Sequence, residues 1–214
     1  MHIDVYQDYV CPWCRIGKKN LSDALAQWQN TYDGEITVTY RAYQLHPELP
    51  PEGADFKEIM AAKMGGVANI SQATGQVTKA GEAVGLPFHF DKITRMPNTE
   101  LAHRLTAIAP EEHTTALVDA LHQAYFAEGR DISDHAALTE ILSGIGLDAQ
   151  DLLARASQGE GAESVAADLG QAREIGIQGV PFFVFNQKYA LSGAYPASEL
   201  VRVLDSASGK ADEL

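Results

Sequence analysis

The chain has 214 residues, 45 % hydrophobic and 21 % charged, enough to bury a core as one domain with an insertion or as two small domains. Its 29 acidic residues against 16 basic ones give a formal charge of −13, which argues against nucleic acid and anionic membranes as main partners. The opening residues, MHIDVYQDYV, carry neither a basic leader nor an apolar run, and the longest apolar stretch, at 180–185, is far too short for a membrane span. A cytoplasmic protein is expected. On that expectation the ER-retrieval look of the KADEL ending (210–214) and the N-x-S matches at Asn20 and Asn69 are chance.

In chain order, residues 2–7 read as a strand in which Ile3 and Val5 alternate with His2 and Asp4. A helix is predicted from Cys11 to about Tyr32, because Leu21, Leu25, Trp28 and Tyr32 fall on one face. Asp33-Gly34 breaks it, and Ile36, Val38, Tyr40 and Ala42 then alternate with Thr37, Thr39 and Arg41 as a second strand. These three elements make a βαβ unit, with parallel strands and a right-handed crossover. After the proline-rich stretch at 46–53, residues 54–159 read as helices separated by Gly, Pro and Asp. Leu117, Leu121 and Tyr125 mark one helix, and Leu138, Ile141, Leu142 and Ile145 another; Ser133 or Asp134, and Asp148, are candidate N-caps. The pattern then changes again. A helix at 163–175 ends near Gly176 and Gly179, Val180-Pro181 precedes a strand at 182–185, and Asn186-Gln187-Lys188 turns it into a second strand at 189–191. Pro196 opens a last amphipathic helix with Leu200, Val203 and Leu204. The expected class is therefore α/β: a thioredoxin-like fold (βαβ … ββα) divided into 1–46 and 161–214 by an all-helical insertion at 47–160.

Cys11 and Cys14 are the only cysteines, and Cys11-Pro12-Trp13-Cys14 falls where the first strand hands over to the first helix. Spacing i, i+3 puts both sulfurs on one face of a first helical turn, close enough to bond. Pro12 suits the first helical position, where its missing N–H has no partner to lose. Unpaired N–H groups and the helix dipole stabilise a thiolate on the first cysteine. Arg15, Lys18 and Lys19 add positive charge, and Asp4 and Asp8 oppose it. Three other readings stand beside the redox one. A zinc site wants four ligands, and seven histidines without ligand spacing do not supply them. A structural disulfide over so short a loop removes little chain entropy. Two inert buried thiols are the third reading. The motif favours a redox pair, Cys11 as nucleophile and Cys14 as resolving thiol.

These four residues, together with GVPFFVFN at 179–186 and ALSGAYP at 190–196, resemble the DsbA-like thioredoxin family. RAYQLHPELPPEG at 41–53 and MPNTELAHRL at 96–105 are similar to its cytoplasmic FrnE-type branch, which is related to 2-hydroxychromene-2-carboxylate isomerases. The resemblance implies that Pro181 is cis, faces the cysteines, and leaves the backbone of Val180 to pair with an extended substrate. It gives Gly193 a backbone-access role by analogy, and makes Asn98, His103 and Arg104 candidates to line a cleft under a helical lid. A plainer reading of those three stays open: Asn98 or Thr99 caps a helix, and a surface His and Arg are solvated.

The resemblance implies a protein-disulfide oxidoreductase or isomerase that exchanges dithiols and disulfides through Cys11 and Cys14, tuned by Pro12 and Trp13. It implies no bound cofactor or metal; glutathione is a candidate co-substrate. Disulfide- or dithiol-containing proteins are the expected partners, recycled by glutathione or a redox protein, with a homodimer left open. Two alternatives are carried with it. One is a glutathione-dependent isomerase or transferase of small molecules, for which a single thiol suffices. The other is a redox-linked chaperone or binding module with Trp13, Phe182, Phe183 and Tyr195 as an apolar patch.

Overall fold

The computed structural model describes residues 1–209; the KADEL ending lies outside the described residues. Strand β1 (His2–Gln7), helix α1 (Pro12–Trp28) and strand β2 (Thr37–Ala42) form the opening βαβ unit. β1 and β2 run parallel with His2 opposite Thr37 and Gln7 opposite Ala42. Cys11 is the N-cap of α1 and Pro12 its first residue. The helix stops four residues short of Tyr32, because the Asn30 side chain donates to the carbonyls of Ala26 and Gln27 and satisfies the last turn. Tyr32 still joins the predicted face, stacked on Trp28 with ring centroids 4.0 Å apart.

The insertion begins with a feature that periodicity does not predict. Strand β3 (Ala54–Asp55), helices α2 (Phe56–Met64) and α3 (Val67–Glu82), and strand β4 (Arg95–Met96) follow in order. β3 and β4 pair antiparallel, Ala54 opposite Met96 and Asp55 opposite Arg95. Two-residue strands forty positions apart leave no period to detect. Gly53 allows the ladder to close: its φ is +71°, and a Cβ there would lie 2.4 Å from the Met96 carbonyl oxygen. Helices α4 (Glu100–Ile108), α5 (Glu111–Phe126), α6 (His135–Gly144) and α7 (Ala149–Ser157) complete the insertion. Asp134 and Asp148 are the N-caps of α6 and α7, their carboxylates accepting from the N–H groups of Ala137 and Asp151.

Helix α8 (Ala162–Glu174), strands β5 (Phe182–Phe185) and β6 (Tyr189–Ser192) and helix α9 (Ala197–Ala207) close the fold. Asn186 and Gln187 both take positive φ, as a tight hairpin turn requires, and the Asn186 side chain accepts from the His2 N–H and donates to the Ala207 carbonyl. The sheet order is β2-β1-β5-β6, with β5 antiparallel to both neighbours. One buried cluster joins Ile3, Val5, Leu21, Trp28, Phe183, Phe185, Leu200 and Leu204, sealing the sheet under α1 and α9. On the opposite face Tyr6 packs with Ala172 and Ile177. The largest cluster gathers the insertion around Leu105, Leu117, Leu121, Tyr125 and Phe126, and it includes Tyr9, Val10 and Ile16 from the redox turn. That turn therefore stands where two cores meet.

Candidate active site

The Cys11 sulfur accepts a hydrogen bond from the Cys14 backbone N–H at 3.2 Å, as an N-cap side chain does. That N–H is shared with the Cys11 carbonyl at 3.1 Å, and the sulfur lies at the positive end of the α1 dipole, where a thiolate is favoured. Cys14 sits one turn deeper and is 1 % exposed. Burial, and then the adjacent Cys11 sulfur, push its thiol well above the ordinary cysteine range. The pair is asymmetric: the Cys11 sulfur caps the helix N-terminus, and burial holds the proton on Cys14. Both cysteines are free thiols in this structure.

The head of β5 supplies the facing wall. The Val180–Pro181 peptide bond is cis, and the Val180 carbonyl oxygen lies 3.4 Å from the Cys11 sulfur, whose S–H donates to it. Pro181 packs on α1 at Gly17, a residue that the sequence analysis does not single out. A Cβ on Gly17 would come within 2.9 Å of Pro181 Cγ and 3.2 Å of Phe183 Cζ. A glycine inside a helix costs about 1 kcal/mol relative to alanine, and that cost is the signal that would have marked it. Gly193, at φ +111°, donates its N–H to the Pro181 carbonyl at 2.8 Å and so shapes this loop.

The charges around the motif are largely tied. Arg15 is buried, donating to the Pro87 carbonyl at 2.6 Å and to the Gln123 side chain, with its guanidinium 5.1 Å above the Phe88 ring. Lys18 pairs with Asp119 at 2.5 Å, and Lys19 with Asp23. Asp4 is paired with Arg41 at 2.7 Å. Asp8 is fully buried; its carboxylate accepts from the Leu45 N–H at 2.7 Å and lies 3.4 Å from His103 Nε2. The Asp8 carbonyl receives the N–H of Cys11 at 3.1 Å, which fixes the approach to the helix.

A cavity of about 330 Å³ opens beside Cys11, lined by Pro12, Trp13 and Val180 on one side and by residues of α2 and α3 on the other. Of the remaining predicted residues, the structure brings none there. His103 is buried against Asp8 and the Tyr43 carbonyl. Asn98 donates to the Leu49 carbonyl at 2.6 Å and accepts from the Glu100 N–H at the start of α4, so the plain capping reading describes it. Arg104 pairs with Glu100, and with Asn98 it lines a separate cavity of about 230 Å³ near Ser133 and His135. The suggested aromatic patch is also not assembled. Phe183 is fully buried, whereas Trp13 and Tyr195 are 40 % and 43 % exposed. Among the described residues no group of His, Cys, Asp and Glu is placed to hold a metal ion, and no helix is long and apolar enough to cross a membrane.

A sheet ordered β2-β1-β5-β6, with a C-x-x-C at the start of α1 and a proline at the head of β5, defines a thioredoxin-type redox fold. Residues 2–205 match the DSBA-like thioredoxin domain, and the chain belongs to that family. A probable DsbA oxidoreductase of Streptomyces coelicolor is 31 % identical, with a TM-score of 0.87 covering 98 % of this chain and 90 % of that one. The uncharacterised protein YwbO of Bacillus subtilis is 27 % identical over 157 residues, 69 % of this chain and 68 % of YwbO. The cytosolic disulfide reductase DsbM of Pseudomonas aeruginosa, solved with GSH, is 16 % identical with a TM-score of 0.65, covering 100 % and 98 % of the two chains. At that identity the likeness is one of fold.

Proposed function

We propose that this protein is a dithiol–disulfide oxidoreductase in which Cys11 attacks a substrate disulfide and Cys14 resolves the mixed disulfide. The asymmetry of the pair carries the reading: a capped Cys11 sulfur beside a cavity, and a buried Cys14 whose thiol is held protonated until the second step. Pro181 and Val180 form the wall against which the rest of the substrate lies. No third cysteine is present, so recycling falls to glutathione or to a partner protein. A disulfide reductase of similar fold solved with GSH supports the first of these, and its cytosolic description supports a cytoplasmic setting. No bound organic cofactor or metal enters the reaction.

The test is to equilibrate the protein in graded glutathione buffers and count trapped thiols. A single two-electron transition of Cys11 and Cys14 is expected, and its midpoint assigns the direction of exchange. In Cys14→Ala the glutathione adduct on Cys11 should accumulate, because nothing resolves it. Absence of any intramolecular disulfide would overturn the reading. Turnover of small molecules with glutathione that survives Cys14→Ala would replace it by the isomerase or transferase alternative, which the cavity beside Cys11 favours.

A further inference from the structure

Cys11 is only 4 % exposed, so a substrate sulfur must enter the adjoining cavity to reach it. At about 330 Å³ this space lies at the small end of ligand pockets. It suits one compact group better than the surface of a folded protein. The walls opposite the motif are mainly Met60, Met64, Val77, Phe90 and Met96, with the Gln76 amide beside them. Three thioethers and a ring make an apolar lining that adapts its shape to an aromatic or branched occupant. Thr74 offers no free donor, since its hydroxyl donates back to the Ile70 carbonyl at 2.9 Å. Lys63, in the last turn of α2, is the lysine at the rim, and it has no ion pair among the described residues. His46, the other basic side chain lining the space, already faces Glu48 at 3.2 Å.

We infer that the cavity selects low-molecular-weight disulfides, and the corresponding thiols, that carry a compact apolar body next to sulfur and a carboxylate beyond it. This inference rests on the dithiol-exchange reading above. The apolar body lies against the methionines and Phe90, and the carboxylate meets Lys63 on an otherwise acidic protein. Glutathione, with charges at both ends and a polar backbone between them, gains less from such walls, so it reacts at Cys11 more slowly than an occupant that fills them. The Cys11 thiolate attacks one sulfur of RSSR; the Cys11–S–SR bond forms, the substrate S–S bond breaks, and RS⁻ leaves. Cys14 gives its proton to solvent and attacks the Cys11 sulfur, forming the Cys11–Cys14 disulfide and releasing a second RS⁻. The substrate gains two electrons, the dithiol loses them, and both thiolates take up protons from water. A dithiol reductant reverses the change in the protein.

The experiment mixes the reduced full chain with the disulfide of para-mercaptobenzoate, the disulfide of its neutral amide, hydroxyethyl disulfide and glutathione disulfide. Each rate is divided by that probe's rate with dithiothreitol, which removes intrinsic reactivity. The carboxylate probe is expected to exceed glutathione disulfide by roughly 10–100-fold, the discrimination that fitting an apolar group to a pocket provides. Lys63→Gln should lower the carboxylate-to-amide ratio roughly two- to fivefold, the size of a rim ion pair. Ala73→Phe, which narrows the space from α3, should lower the ratio of either ring-bearing probe to hydroxyethyl disulfide. Equal normalised rates for the carboxylate probe and glutathione disulfide, with ratios that neither substitution moves, would overturn this inference and leave dithiol exchange standing. If no probe oxidises the pair, the dithiol reading falls and this inference falls with it.

Discussion

Acidification should destabilise this protein through His122. The ring lies on α5, 1 % exposed, with Nε2 3.4 Å from the Asp8 carbonyl oxygen and Nδ1 without a hydrogen-bond partner among the described residues. Burial first, then the positive charges of Lys18 and Arg15, outweigh the Asp8 carbonyl and carboxylate and lower its pKa to about 3. In the unfolded chain a histidine titrates near 6.5. Between those two values the unfolded state binds the extra proton, so stability rises with pH there and is lost as pH falls from about 6.5 toward 3. At pH 5 the unfolded chain gains about 1.5 pKa units' worth of protonation, which is about 2 kcal/mol of lost stability. Against a total of about 5–15 kcal/mol for an ordinary domain, that loss is easily measured. The assay is urea unfolding followed by circular dichroism, near pH 7 and near pH 5, on the wild type and on His122→Phe. The wild type should lose about 2 kcal/mol more than the variant over that interval. The same pH dependence in both proteins would refute the argument, because the variant has no imidazole to protonate.

Two further substitutions probe how the site is supported. Gly17→Val drives a branched side chain into the Pro181 ring and Phe183. It should cost about 1–3 kcal/mol in thermal or urea unfolding and slow oxidation of Cys11; an unchanged midpoint would mean that the α1–Pro181 contact bears no strain. Asp168 on α8 accepts from the Ala42 N–H at 2.9 Å and from Arg41 at 3.2 Å, tying that helix to β2. Asp168→Ala should lower stability by about 1–3 kcal/mol in urea, and a midpoint equal to wild type would show that water replaces the carboxylate at no cost.

Local chemistry was legible in the sequence, and long-range chemistry was not. Cys11, Pro12 and Cys14 announce a helix start and a redox pair within four residues, alternation in 2–7 and 36–42 gives two strands, and the apolar run 182–185 between a proline and a turn gives a third. Asp134 and Asp148 cap helices because their partners are three residues away. Asn98 and Arg104 have near partners in the N–H and carboxylate of Glu100, but their other partners, like those of His103, are distant in sequence. Those partners, Asp8, Leu49 and Ala156, lie about 50–95 residues distant, and only the folded chain decides whether a histidine on α4 meets a cleft or a buried carboxylate. Gly17 and Gly53 have the same origin. Each is explained by a backbone or ring brought from elsewhere, Pro181 in one case and Met96 in the other.

The position of the motif on a seam accounts for the difference between its two cysteines. Helix α1 sends Ile16 into the core of the insertion and Leu21, Ala24 and Trp28 into the core beneath the sheet. Its first turn is thereby held from two sides, with Cys14 facing inward and Cys11 left beside the cavity. The boundaries drawn at residues 46 and 160 divide the chain in sequence, but the buried cluster crosses both the loop before α1 and the insertion: Tyr9 and Val10 pack with Leu105, Leu117 and Leu121. The Tyr9 hydroxyl meets Thr106 on α4 at 2.5 Å, and the Asp8 carbonyl is shared by the N–H of Cys11 and the His122 ring of α5. Moving the insertion would therefore move the N-terminal approach to Cys11. The helical segment does more than cover the thiols, since it fixes the backbone from which the nucleophile is presented.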